Sequence, residues 1–183
     1  MKIFDRLGTA RALKHRIADR RCRLYRIAYS WCGDPSIADD LVQEAITLAI
    51  GKRHQLREQA RMDSWLYTVL ANCWRAHLRN RRADGELDSQ VLACDRCPER
   101  VNQAGELARL VFEHMACLPE GQRQVLSLVA LEGMSYRDVA EVLDIPMGTV
   151  MSRLSRARRY LAERIAEHDE PSGNVRPYIR RVK

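Results

Sequence analysis

Residues 118–161, LPEGQRQVLSLVALEGMSYRDVAEVLDIPMGTVMSRLSRARRYL, decide the fold. Pro119 suits a helix start, where its missing N–H is no loss, and Val125, Leu126, Val129 and Leu131 follow on that helix. After Gly133, Ser135 with Asp138 three residues on has the polarity of a capping box. It opens a short helix containing Val139, Ala140, Val142 and Leu143. Asp144-Ile145-Pro146 then makes a tight turn into a last helix, Met147 to about Ile165, held to its domain by Val150, Leu154, Ala157 and Leu161. A short helix, a tight turn and a second helix bearing Ser152, Arg153, Ser155, Arg156, Arg158 and Arg159 outline a helix-turn-helix. The start of that second helix presents Gly148, Thr149, Met151 and Ser152 for close approach, while Arg153 and Arg156 can reach base edges or phosphates.

Upstream the same period recurs. Leu13, Ile17, Leu24, Ile27, Ala28 and Trp31 predict one long helix from Ala10 to Trp31, broken by Gly33-Asp34-Pro35. Ser36 is the expected cap of a second helix, in which Ile37, Leu41, Ala45 and Leu48 form an apolar stripe and Asp39, Asp40, Gln43 and Glu44 lie off it. A polar stretch, Lys52 to Arg61, leads to a third helix capped by Asp63 or Ser64, which contains Trp65, Leu66, Val69, Leu70, Cys73, Trp74 and Leu78 and ends in the basic run HLRNRR. Three amphipathic helices can close a small bundle, so a first domain is expected at 9–82. Residues 83–102 read as a flexible linker: periodicity is lost, and Asp84, Glu86, Asp88, Asp95 and Glu99 face only Arg96 over 83–99. The second domain, 103–167, adds a helix through Leu107, Leu110, Val111 and Met115 to the helix-turn-helix, and 168–183 reads as a mobile basic tail.

Composition agrees with an all-α fold of two small helical domains: 183 residues, 46% apolar and 30% charged, with 9 Gly and 6 Pro. A net charge of +7 suits a polyanionic partner, nucleic acid first. No stretch approaches the roughly 18 consecutive apolar residues of a spanning helix, and the N-terminus has no apolar secretory core, so no membrane insertion and a cytoplasmic location are expected. Six cysteines sit mostly in apolar helical patterns and are expected to be reduced. Cys94 and Cys97 form a C-x-x-C that could be half of a zinc site or a redox pair, but no second ligand pair follows, and it is read first as an ordinary linker thiol pair. No nucleophile–base constellation, phosphate-cradling loop or metal cluster is visible, so no catalytic residue, metal or cofactor is assigned and the chain is not read as an enzyme.

The opening stretch closely resembles the C-terminal domain of the extracytoplasmic-function (ECF) RNA polymerase sigma factors of the sigma-70 family. The resemblance implies a promoter-reading subunit whose Arg137, Thr149, Met151, Ser152, Arg153 and Arg156 lie at the −35 element. One departure stands out: family members usually carry Lys or Arg where Met151 stands. IADDLVQEAITLAI (37–50) resembles the family's helix that grips the β′ clamp helices, which implies that Asp39, Asp40, Gln43 and Glu44 contact core polymerase, built of β and β′ subunits. Carboxylates suit that task because they pair with Arg on a partner in charge-assisted geometry. SWLYTVLANCWRAHLRNRR (64–82) is similar to the family's helix that melts and holds the −10 element. Unpaired bases need stacking surfaces and the displaced strand needs cations, which implicates Arg57, Arg61, Ser64, Asn72, Arg75, Arg79 and Arg82 at the −10 DNA. Tyr67 is a further stacking candidate, while Trp65 and Trp74 are better read as core. The resemblance also gives the acidic linker a path along positively charged polymerase channels, and it leaves an anti-sigma factor open as a further partner. Two alternatives stay on the page: an autonomous helix-turn-helix regulator, and a sigma mimic that sequesters an anti-sigma factor.

Overall fold

The computed structural model describes residues 15–56, 58–83 and 106–168. Among them the chain is helical, with no strand. The N-terminal half consists of α1 (Arg21–Cys32), α2 (Pro35–Gly51) and α3 (Met62–Ala83), with 3₁₀ turns at Arg53–Gln55 and Gln59–Arg61 between the last two. The C-terminal half consists of α4 (Glu106–Ala116), α5 (Glu120–Ala130), α6 (Tyr136–Leu143) and α7 (Met147–His168). The first residues of the expected first domain, most of the linker with Cys94 and Cys97, Arg57, and the tail after His168 lie outside the described residues.

The helix boundaries and caps of the first half differ from the sequence expectation in three places. The long first helix is broken at Asp19–Arg20: residues 15–18 are helical, a turn follows, and α1 begins at Arg21. At that break the Arg20 guanidinium reaches Asp63 on α3 at 3.0 Å. The cap of α2 is Asp34, not Ser36: one carboxylate oxygen accepts from the Ser36 and Ile37 N–H groups, with Pro35 in the first helical position, where no donor is needed. Nor do Asp63 or Ser64 start α3, which begins at Met62 directly after the second 3₁₀ turn; Asp63 instead binds Arg20 and Arg23.

The buried stripe of α2 is Ala38, Leu41, Val42, Ala45 and Ala49. Leu48, expected in the stripe, sits about 80° around the helix from its centre at 100° per residue and is exposed. Together with Leu24, Ile27, Ala28 and Trp31 of α1 and Leu66, Leu70, Cys73 and Trp74 of α3, these side chains fill the first core. The same apolar cluster continues into the second half through Met115, Leu118, Val125, Leu128, Val139, Val142, Val150, Leu154 and Ala157.

The helix-turn-helix forms as its residues dictate. Ser135 Oγ accepts from the Asp138 N–H at 3.1 Å and donates to the Asp138 carboxylate at 2.6 Å, so the capping pair is reciprocal through the side chain. Gly133, at φ 66°, stops the chain beyond α5, its N–H donating to the Val129 carbonyl at 3.2 Å, the five-to-one bond of a left-handed helix stop. Asp144 takes the turn at φ 54°, the single described non-glycine with positive φ, and its N–H donates to Ala140 O.

The two halves also pack against each other: α1 lies on α4 and α5, and α3 lies on α6.

Candidate nucleic-acid interface

From Met147 through Ala162, α7 carries Arg153, Arg156, Arg158 and Arg159 and no carboxylate. Val150, Leu154, Ala157 and Leu161 are buried and fix its inner face. Of the residues expected at DNA, Met151, Ser152, Arg156 and Arg137 are exposed and Thr149 is half-buried. Ser152 spends its hydroxyl proton on Thr149 O at 3.1 Å, and Arg137 lies 3.4 Å from Glu141 one turn on. Arg153 is placed differently: its guanidinium lies over Gly121 at the start of α5, so close that a Cβ there would fall 2.8 Å from it. A side chain at Gly121 would have to push the flexible guanidinium aside, and Arg153 lies back against its own domain.

On α2, Asp39, Asp40, Gln43 and Glu44 are all exposed on the side opposite the buried stripe. Among the described residues Asp39 pairs with the Arg21 guanidinium at 2.8 Å. Along α3, Asn72, Arg79 and Arg82 are exposed and Arg75 is half-buried, bonded back to Ala71 O at 3.3 Å. Ser64 is half-buried and accepts, through its carbonyl, from the Thr68 hydroxyl. Arg61 is exposed, 3.4 Å from Glu58 and 4.0 Å from Glu141 of α6. Trp74 is buried and stacks on His77, while Trp65 packs half-buried on the core. Tyr67, a stacking candidate from sequence, is withdrawn into the contact between the halves.

That contact is built on residues the sequence reading passed over. Glu132, just beyond α5, has a fully enclosed side chain. Oε2 accepts from Arg23 at 2.7–2.8 Å and from the Tyr67 hydroxyl; Oε1 accepts from Arg26 at 2.6 Å. Burial alone would push this carboxyl up, but the bonds from Tyr67, Arg26 and Arg23 outweigh it and hold Glu132 below the usual carboxylate range. Burial, the bond to Glu132 and its charge move the Tyr67 phenol well above its usual range. Arg23 also reaches Asp63 at 2.7 Å, so carboxylates from both halves share it. Two indoles complete the contact: Trp31 Nε1 donates to Ser127 Oγ at 2.7 Å, and Trp74 Nε1 to Glu120 at 3.1 Å.

Elsewhere the described residues hold no group of three or more side chains suited to a metal ion, and no helix long and apolar enough to cross a membrane. Cys32 and Cys73 are buried, and burial, as the largest cause, pushes both thiols up to about 11, far from the thiolate that redox or metal chemistry needs.

Comparison with known proteins assigns both halves. Residues 17–83 match the family described as Sigma-70 region 2, and residues 109–161 match Sigma-70, region 4. The chain belongs to the sigma-70 family. Within it, the chain is 33% identical over 169 residues to the ECF RNA polymerase sigma factor EcfG of Rhodopseudomonas palustris, covering 85% of this chain and 88% of that protein. It is 33% identical over 141 residues to the ECF RNA polymerase sigma-E factor of Haemophilus influenzae, covering 69% and 73%. The sigma factor RpoE of Bartonella quintana, solved in complex with the anti-sigma factor NepR, superposes with a TM-score of 0.73 at 26% identity, over 85% of this chain and 97% of that one. This chain is therefore an ECF-type sigma factor, a non-enzymatic initiation factor that binds RNA polymerase and promoter DNA. Region 2 is α1–α3, and region 4 comprises the end of α4, α5, α6 and most of α7.

Proposed function

We propose that region 2 of this sigma factor docks on core polymerase through Asp40, Gln43 and Glu44, with Asp39 beside them, and opens the −10 element along α3. Region 4 reads the −35 element with α7. One observation carries this division: the exposed acidic face of α2 and the carboxylate-free basic stretch of α7 are opposite in charge and lie on different halves. An acidic face repels DNA phosphates and suits a basic protein surface, while four arginines without an acid suit the duplex. On α3 the cations Arg75, Arg79 and Arg82 follow the displaced strand, and Asn72 offers hydrogen bonds to an extruded base. The work is done in the cytoplasm, where the polymerase is.

The closed packing of the halves has a consequence for the order of events. Elements named −35 and −10 lie about 25 base pairs apart, or about 85 Å at 3.4 Å per pair. Helices α3 and α7 are each about 33 Å long at 1.5 Å per residue, and α3 touches the helix-turn-helix directly. Both readers cannot occupy one promoter from this arrangement. The halves separate on the polymerase, and residues 84–105, which fully extended span about 75 Å, supply the reach. An anti-sigma factor that favours the closed form is a further proposed partner, since the Bartonella RpoE chain was solved bound to one.

Reconstitution tests the reading. Added to bacterial core polymerase lacking any sigma, the chain directs specific starts that share upstream −35 and −10 sequences. Glu44→Lys lowers affinity for core and spares the DNA preference; Arg156→Ala spares core affinity and weakens −35-dependent initiation. Tight duplex binding by the chain alone, with no binding to core, would favour the autonomous regulator; binding to an anti-sigma factor alone would favour the mimic.

A further inference from the structure

Large hydrophobic side chains exposed among the described residues are Leu48, Met147 and Met151, and two of the three stand on the first two turns of α7. Met147 is 53% and Met151 52% exposed, at i and i+4, so they share one side of the helix. Around them the surface is made for close approach. Ser152 and Ser155 are exposed, and a Cβ at Gly148 would meet nothing within 4 Å. On the same helix Val150, Leu154 and Leu161 are at least 90% buried and Ile165 is half-buried on the core, so the methionines are not spill-over from the core. Their neighbours on the same helix include four arginines and no carboxylate through Ala162, which directs a polyanion onto this surface.

An apolar pair on a cationic reading helix has one matching feature in the major groove. Guanine, adenine and cytosine present hydrogen-bonding groups there, whereas thymine alone presents a C5-methyl. The methionine side chain is unbranched and polarizable and can settle on a methyl without a fixed donor–acceptor geometry. It offers no hydrogen bond to guanine and no charge to a phosphate. Arg153, the cation nearest in sequence to Met151 on this helix, is held back over Gly121.

We infer that Met147 and Met151 are specificity-determining residues that read thymine C5-methyl groups in the −35 element. The inference deepens the promoter-reading assignment of α7 and rests on it. The −35 sequence that this sigma factor selects then contains thymine, on either strand, where the first two turns of α7 enter the groove.

The test isolates the methyl. Holoenzyme assembled from this chain and core polymerase first selects its promoters from a library randomised over the −35 region upstream of a constant −10 region. Each −35 thymine is then replaced by deoxyuridine, which lacks only the methyl group. For the contacted thymines, affinity falls about fourfold per methyl removed, the worth of one buried carbon group. Met151→Ser and Met147→Ser, exposed changes that leave the core untouched, lower affinity for the thymine promoter by a similar factor, and the deoxyuridine effect disappears in the matching variant. Deoxyuridine without effect in the wild type, or an undiminished effect in both variants, overturns the inference while leaving promoter reading intact. Selection of no −35 sequence at all would instead overturn the assignment of α7.

Discussion

Within each half the helices meet mainly through hydrocarbon; between the halves the apolar cluster, with the buried Trp31 and Trp74 rings, is joined by charges and hydrogen bonds. Leu66 and Leu70 of α3 are buried against the wholly apolar stripe of α2. Across the divide stand Glu132 with Arg23, Arg26 and Tyr67, Trp31 with Ser127, and Trp74 with Glu120. The difference has a physical meaning. An apolar face pulled from its partner meets water at a cost proportional to its area, whereas polar groups pulled apart recover hydrogen bonds from solvent. Opening the second contact returns its charged groups to solvent and is expected to cost less than opening the first, the Trp31 and Trp74 rings buried there being its apolar part.

The comparison is broken most severely inside a half. Leu70→Ala removes a fully buried side chain from the region 2 core and is expected to cost about 2–5 kcal/mol, read as a lowered denaturation midpoint. Next comes the contact itself. Glu132→Ala removes the carboxylate on which three donors converge, but the Arg23 and Arg26 side chains are already 40% and 49% exposed and return to water. The expected cost falls on the closed arrangement, about 2–3 kcal/mol, seen as a longer distance between labels on α2 and α7 with helix content unchanged. A lost midpoint with no change in distance would mean that the contact is as permanent as the cores.

Acid sharpens the same point. Because Glu132 titrates below its ordinary range when enclosed, its contribution is present above the unfolded carboxyl's pKa and is lost as pH falls through the folded value. The halves are therefore expected to part only in acid below the usual carboxylate range, and the Glu132→Ala protein should lack this step in a label-distance titration. Ser135→Ala removes a helix cap from α6 and is expected to cost about 1 kcal/mol by denaturation, within region 4 alone.

Much of this was legible from residue order. The helix-turn-helix could be read because its signals are local: a serine–aspartate cap, a turn with Asp144 before Pro146, and apolar residues on one face. The acidic face of α2 was legible for the same reason. Glu132 also left a trace, since it continues the buried run Val125, Leu128, Val129 at i+7, and a carboxylate on a buried stripe calls for donors. What no local pattern shows is which donors, because Arg23 and Arg26 lie more than 100 residues away in the chain.

Alone, the sequence determined the helices, their inner faces and the separation of acidic from basic surfaces, since period, capping and charge act over a few residues. Only the tertiary structure decided that Tyr67 turns inward rather than toward DNA, that Arg153 is held over Gly121, and that the halves close around Glu132. Those outcomes depend on distances between segments far apart in the chain, which packing sets and residue order does not encode one position at a time.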